Sequence, residues 1–230
     1  MHAEDRIIHF ATEMFHAPRG ANTPALQKLY YELSQTRSAQ YAASDVSNPL
    51  QARFHTRKGQ HTHSLALFLP DRILVLEEWA DIPLSAFQER LETVASKAAE
   101  ELGIAEFTAQ TVTLRSTFAL SHFSDARAFL IDRVCQQNGR VAPYFQRPVS
   151  VGGIRFVLPE TPEHPGQLNV LIESFRHSKN EVFVEVKGVF QGLRASPLDL
   201  SPFKENTFVV RNFISSNVYT YLNQFDQSPA

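Results

Sequence analysis

Three histidines lie close together in Phe54-His55-Thr56-Arg57-Lys58-Gly59-Gln60-His61-Thr62-His63. Strand alternation sends His61 and His63 to one face. If residues 57–59 form a three-residue hairpin loop with Gly59 left-handed, His55 falls opposite His61. Three imidazoles then share a face, a set that suits zinc. If the loop is residues 58 and 59 alone, His55 turns to the other face. The run holds no carboxylate to serve as fourth ligand or general base. The plainer reading is a solvated polar face at the open end of a hairpin, with no cofactor.

Other candidates stand singly. Arg19, in Arg19-Gly20-Ala21-Asn22-Thr23-Pro24, precedes a helix start whose free amides could hold an anion. No glycine-rich phosphate fingerprint accompanies it, so a capped loop is the plainer reading. Arg115 lies mid-strand, either to bind an anionic ligand or to pair with a glutamate next door. Trp79 ends a strand beside Glu77 and Glu78, as ligand platform or as core, and alternation sends the two carboxylates to opposite faces. Arg115, Trp79 and Arg19 are therefore the candidate ligand-binding residues, and no residue is a candidate catalyst. Cys135 has no motif-linked His or Asp, so a buried structural role is the default. No G-x-S-x-G, H-E-x-x-H or Walker-type loop occurs. A non-catalytic binding protein fits these residues better than an enzyme. The alternative is a metal-dependent or small-molecule enzyme using His55, His61 and His63.

The elements that must position these residues come in a repeated order. Residues 6–15 read as a strand with Ile8 and Phe10 on one face. Thr23-Pro24 reads as an N-cap and first helical position, followed by Leu26, Leu29, Tyr30 and Leu33 at helical spacing. A connector at 39–50 leads to strands at 51–57, 61–69 and 72–79, with turns at Arg57-Lys58-Gly59 and Pro70-Asp71. Ser85 and Gln88 match a capping box. Behind it Leu84, Phe87, Leu91, Val94, Ala98 and Leu102 form one stripe, closed by Gly103. The pattern then restarts with a long strand at 106–120 and a helix capped by Ser124. Strands at 149–158, 167–177 and 181–190 follow, with Gly152-Gly153 as a bulge or bend. A last helix opens at Ser201-Pro202.

This order predicts an α+β fold of two pseudo-repeated β-α-β-β-β-α halves, residues 1–104 and 105–230, sharing one composite domain. Short turns make the neighbouring strands antiparallel. The halves are expected to join into a curved antiparallel sheet covered by helices, like the TATA-binding-like and helix-grip-like architectures. The strands at 106–120 and 181–190 are expected at open edges. With Phe208, Phe213, Tyr219, Tyr221 and Phe225 crowding the last helix, this favours self-association as a homodimer.

Composition narrows the partners. The chain has 22 Lys and Arg, 24 Asp and Glu and a net charge of −2, no electrostatic footprint for nucleic acid or an anionic membrane. A protein partner or a second copy is the expected ligand. One cysteine excludes an internal disulfide and suits a reducing compartment. The polar, acidic Met1-His2-Ala3-Glu4-Asp5 does not resemble a signal peptide, and no apolar run reaches membrane-spanning length, so the expected location is cytoplasmic.

Leu69-Pro70-Asp71-Arg72-Ile73-Leu74-Val75-Leu76, then Phe87, then Thr113-Leu114-Arg115-Ser116-Thr117 carry a likeness to a family. The stretch from Ser64 to Leu120 resembles a sporadically distributed family of uncharacterised bacterial proteins. The order at the C-terminal end, a hairpin then Leu198-Asp199-Leu200 and an amphipathic helix, is similar too. The resemblance implies the strand and helix plan and supplies no catalytic residues.

Overall fold

The structure, a computed structural model, describes residues 6–59 and 61–228. The signal-peptide reading of Met1–Asp5 and the position of Gln60 in the histidine hairpin lie outside the described residues. Among those described, the first half contains β1 (Arg6–His16), α1 (Thr23–Gln35), β2 (Ala43–Asp45), β3 (Ala52–Lys58), β4 (Thr62–Phe68), β5 (Arg72–Glu78) and α2 (Leu84–Leu102). The second half begins with β6 (Phe107–Ala119) and α3 (Ala126–Ala128), which runs on as a π-helical turn over Phe129–Val134. Then come α4 (Val141–Phe145), β7 (Gly153–Leu158), β8 (Gln167–Ser174) and β9 (Glu181–Phe190). A final helical run joins α5 (Ser201–Phe213), a π-helical turn (Ile214–Val218) and α6 (Tyr219–Asn223).

These strands form one nine-stranded antiparallel sheet in the order β2-β3-β4-β5-β1-β6-β9-β8-β7. The order β3-β4-β5-β1 in one half has its counterpart in β7-β8-β9-β6 in the other. The helices pack on one face. Ring contacts mark it: Tyr30 on Phe54, Phe87 on Phe10, Phe203 on Phe107 and Tyr219 on Phe118. The stripe of α2 is buried through Phe87, Leu91, Val94 and Ala98. The two longest helices meet where Gln88 Nε2 donates to the Lys204 carbonyl at 3.1 Å and Lys204 pairs with Glu92 at 2.6 Å.

Polar groups are also buried under the helices. Glu77, 1% exposed, accepts from Ser64 Oγ at 2.6 Å and pairs with Arg90 of α2. Arg90 Nε donates to the Ser38 carbonyl at 2.8 Å, fixing the end of α1's connector to α2. Gln110, fully buried, donates to Thr12 Oγ1 and the Phe203 carbonyl and accepts from Asn206, tying β1, β6 and α5 together.

Several local expectations need correction. The strands at 106–120 and 181–190, β6 and β9, are interior; the sheet ends at β2 and β7. The connector at 39–50 supplies the three-residue edge strand β2. Arg57 pairs with His63 and Lys58 with Thr62, so β3 runs on through both residues and neither belongs to the loop that 57–59 or 58–59 would form. Asn22 caps α1 by accepting from Ala25, and Asp125 caps α3 in place of Ser124. Helix α2 starts at Leu84 behind Pro83, whose side chain has no acceptor to cap it, and Gln88 reaches to Lys204 instead of back to the helix start. Gly152 and Gly153 sit at close approaches, not at a bulge: a Cβ on Gly153 would lie 2.7 Å from the Ile172 carbonyl oxygen. Cys135 is exposed. No helix among the described residues is long and apolar enough to cross a membrane.

Leu91 is fully buried in the stripe, whereas Leu198 is 99% exposed. Leu91→Ala should cost about 2–5 kcal/mol in denaturant unfolding, and Leu198→Ala no more than about 0.5 kcal/mol. Equal effects would contradict this packing.

Candidate functional site

The face opposite the helices is built by alternation. Residues whose neighbours point into the core point here. The registers align one row across eight strands: Arg57, His63, Glu78, His9, Arg115, Glu185, Leu171 and Arg155. The next row runs His55, Leu65, Leu76, Ala11, Thr113, Lys187, Asn169 and Val157. Beyond it lie Arg53, Leu67, Leu74, Glu13 and Thr111. Leu65, Leu67, Leu74 and Leu76 are half-buried, so an apolar strip borders the ionic row.

His9 lies at the centre, 6% exposed. Its Nδ1 is buried without a hydrogen-bond partner and stands 3.8 Å from Glu78 Oε1. That separation is too long for a proton-transfer pair. Burial, helped by the positive charge of Arg115, lowers the His9 pKa from 6.5 to about 4. Arg115 Nε donates to Glu185 Oε2 at 2.6 Å. The imidazole is therefore neutral at pH 7, beside an arginine that is already paired.

An aromatic wall closes one end of the face. Trp79 and Phe175 stand 6.4 Å apart, and Phe175 stacks on Phe183. Trp79 follows β5 and Phe175 follows β8, with β1, β6 and β9 between them. Four strand steps span about 19 Å in a flat sheet, so the two loops lean toward each other across the strand ends. Trp79 adopts φ 51°, in the left-handed region, and its N–H donates to the Ile8 carbonyl at 2.7 Å. Trp79, Glu78, His63, His61 and Arg57 line a cleft of about 580 Å³.

The structure brings Arg115, Trp79, His55 and His63 to this face, sets His61 at the rim of its cleft and leaves Arg19 out. His55 and His63 rings are 6.5 Å apart, as diagonal neighbours. Burial first, then Arg57, lowers the pKa of His63. His61 sits in the hairpin loop, off the strand alternation that was to align it. Among the described residues no three His, Cys, Asp or Glu side chains are placed to hold a metal ion. Arg19 lies past the other end of β1, its N–H on the Pro70 carbonyl and its Nε buried without a partner. Burial lowers its pKa. Glu77 and Glu78 do take opposite faces.

The sequence reading missed His9, Glu185, Phe175 and Phe183. One signal was available for His9, a titratable side chain inside the apolar run Ile7-Ile8-His9-Phe10-Ala11. No family model matches this chain, and no curated protein matches it.

The buried His9 makes stability depend on pH. The unfolded chain takes up its proton near pH 6.5, the folded one only near pH 4. Between these values the unfolded state holds more protons, so stability falls as the solution is acidified. The contribution is present in full above pH 6.5 and lost by about pH 4, a change of about 3 kcal/mol. His9→Gln should flatten the slope of unfolding free energy against pH in this window by up to one proton. An unchanged slope would show that His9 titrates normally.

Proposed function

We propose that the protein is a non-catalytic binding protein whose face opposite the helices receives a protein surface, most simply a second copy of the chain. The observation that carries this reading is the ionic row beside the half-buried leucines. Its charges alternate, Arg57, Glu78, Arg115, Glu185 and Arg155 in spatial order. Under a twofold axis set between Arg115 and Glu185, each of these faces the other's copy and Glu78 faces Arg155, so the row is self-complementary in that register. Twofold dimers are the commonest assembly. Leu65, Leu67, Leu74 and Leu76 supply the apolar area that such a contact needs.

The matching strand orders of the halves support reading residues 1–104 and 105–230 as a duplicated unit, close in plan to TATA-binding-like proteins. In that reading the two-fold relation of the halves passes between β1 and β6, so the face is itself quasi-symmetric. One exposed cysteine and no disulfide suit the cytoplasm.

Trp79 is the chain's one tryptophan and stands on this face, so its emission reports occupancy. Light scattering at micromolar concentration should give about twice the 26.0 kDa chain mass. Dilution should lower the mass and shift Trp79 emission together, and Leu74→Lys should leave a monomer. A mass of one chain at every concentration, with unmoved emission, would remove the second copy as the occupant.

A further inference from the structure

A second cleft, of about 360 Å³, opens between the start of α3 and the β8–β9 turn. Its lining includes Asp125, Arg127, Ser174, Arg176 and Lys179. Its size falls within the roughly 300–1,000 Å³ of small-molecule sites. We propose that this cleft binds a phosphate monoester, and the inference does not rest on the reading of the sheet face.

Charge makes the first part of the case. Three permanent cations line the cleft, Arg127, Arg176 and Lys179, against the single carboxylate of Asp125. That carboxylate is already committed. It accepts from the backbone N–H of Arg127 at 2.9 Å and of Ala128 at 3.1 Å, and from Arg127 Nη2 at 2.9 Å. Arg176 and Lys179 are exposed and form no ion pair among the described residues. Positive charge is thus in excess at a concave site, where low-dielectric walls strengthen attraction for an anion.

Donor geometry makes the second part. Arg127 spends one N–H on the Val149 carbonyl at 2.7 Å and one on Asp125, leaving three of its five donors. Ser174 is buried, and its Oγ accepts from the Gly152 N–H at 3.3 Å, so its own hydroxyl hydrogen remains to be given. Ser150 and His177 add further polar edges. A phosphate monoester offers three acceptor oxygens in a tetrahedral array. It suits donors arriving from several directions better than a planar carboxylate, and charge-assisted bonds of this kind are strong.

The walls are tied together before any ligand arrives. The Ala126 N–H donates to the Lys179 carbonyl at 2.6 Å, joining α3 to the turn. The Phe175 N–H donates to the Glu181 carbonyl at 3.0 Å, and Ser178 Oγ donates to Asn180 at 2.9 Å, holding the turn's shape. The ordering left to oppose binding is therefore that of the Arg176 and Lys179 side chains, not of the turn. Phe175 and His177, 5.2 Å apart edge to face, bound the cleft on the side where the ester's organic group would leave.

The test is titration of the full chain with inorganic phosphate and with a nucleoside monophosphate at constant ionic strength, followed by amide chemical shifts. Saturable shifts should appear at Ser178 and Lys179. Arg176→Ala and Lys179→Ala, both at exposed positions, should each weaken binding about tenfold. Arg194→Ala, an exposed arginine outside the cleft, should leave it unchanged. Linear, unsaturated shifts with both compounds would overturn the proposal. So would equal weakening by Arg194→Ala, which would reduce the effect to general charge attraction.

Discussion

The antiparallel pairing of β1 with β6, from Arg6–Thr117 to His16–Phe107, is the contact on which the rest depends. Each half alone offers four or five strands and two or three helical segments. Only this pairing makes one sheet and one core of them. Its position is secured from the helix side by Gln110, whose amide is satisfied by Thr12, Phe203 and Asn206 in a fully buried setting. Buried amides with every bond made specify one arrangement, because any slip leaves them unpaired. A one-residue shift of β1 would also turn Phe10 and Met14 out of the core and His9 into it.

From that seam follows the asymmetry of the two faces. Helices from both halves meet over one side and bury it, and the charges left there are paired, as Arg90 is with Glu77. The opposite side receives the other half of every alternating strand. It therefore carries arginines, glutamates and histidines in register, with leucines beside them. His9 belongs to this side yet is nearly as buried as the core, set between the longer side chains of Glu78 and Arg115 on the neighbouring strands. A neutral imidazole next to a paired arginine is the electrostatic result.

The sequence carried the elements better than their neighbours. The stripe of α2 and the clean alternation of Val182, Val184 and Val186 are local signals, and both elements appear where periodicity puts them. Which strands are central is a long-range fact. A clue lay in β1, where Ile8 through Thr12 are all buried: a strand in the middle of a wide sheet loses the alternation that an edge strand shows. The caps were read one residue off at Thr23 and Ser124 because adjacent polar residues, Asn22 and Asp125, compete for the same amides. Cys135 lies one residue past Val134, the last position of the buried stripe Ala126, Phe129, Leu130 and Val134, and a default drawn from residue type carries no such position. The candidate face was half legible: Arg115, Trp79, His55 and His63 were singled out. His9, Phe175 and Phe183 gain meaning only when β1, β8 and β9 are laid side by side.

The place of β1 also imposes an order on biosynthesis. The middle strand of the sheet is made before both of its partners, β5 and β6, which begin at Arg72 and Phe107. At about 5–20 residues per second, β1 waits several seconds for the first of them and longer for the second. Throughout that time both of its backbone edges are unpaired. The nascent chain thus carries a two-sided, aggregation-prone strand until its partners arrive. The burden of keeping it single falls on whatever meets the chain at the exit tunnel.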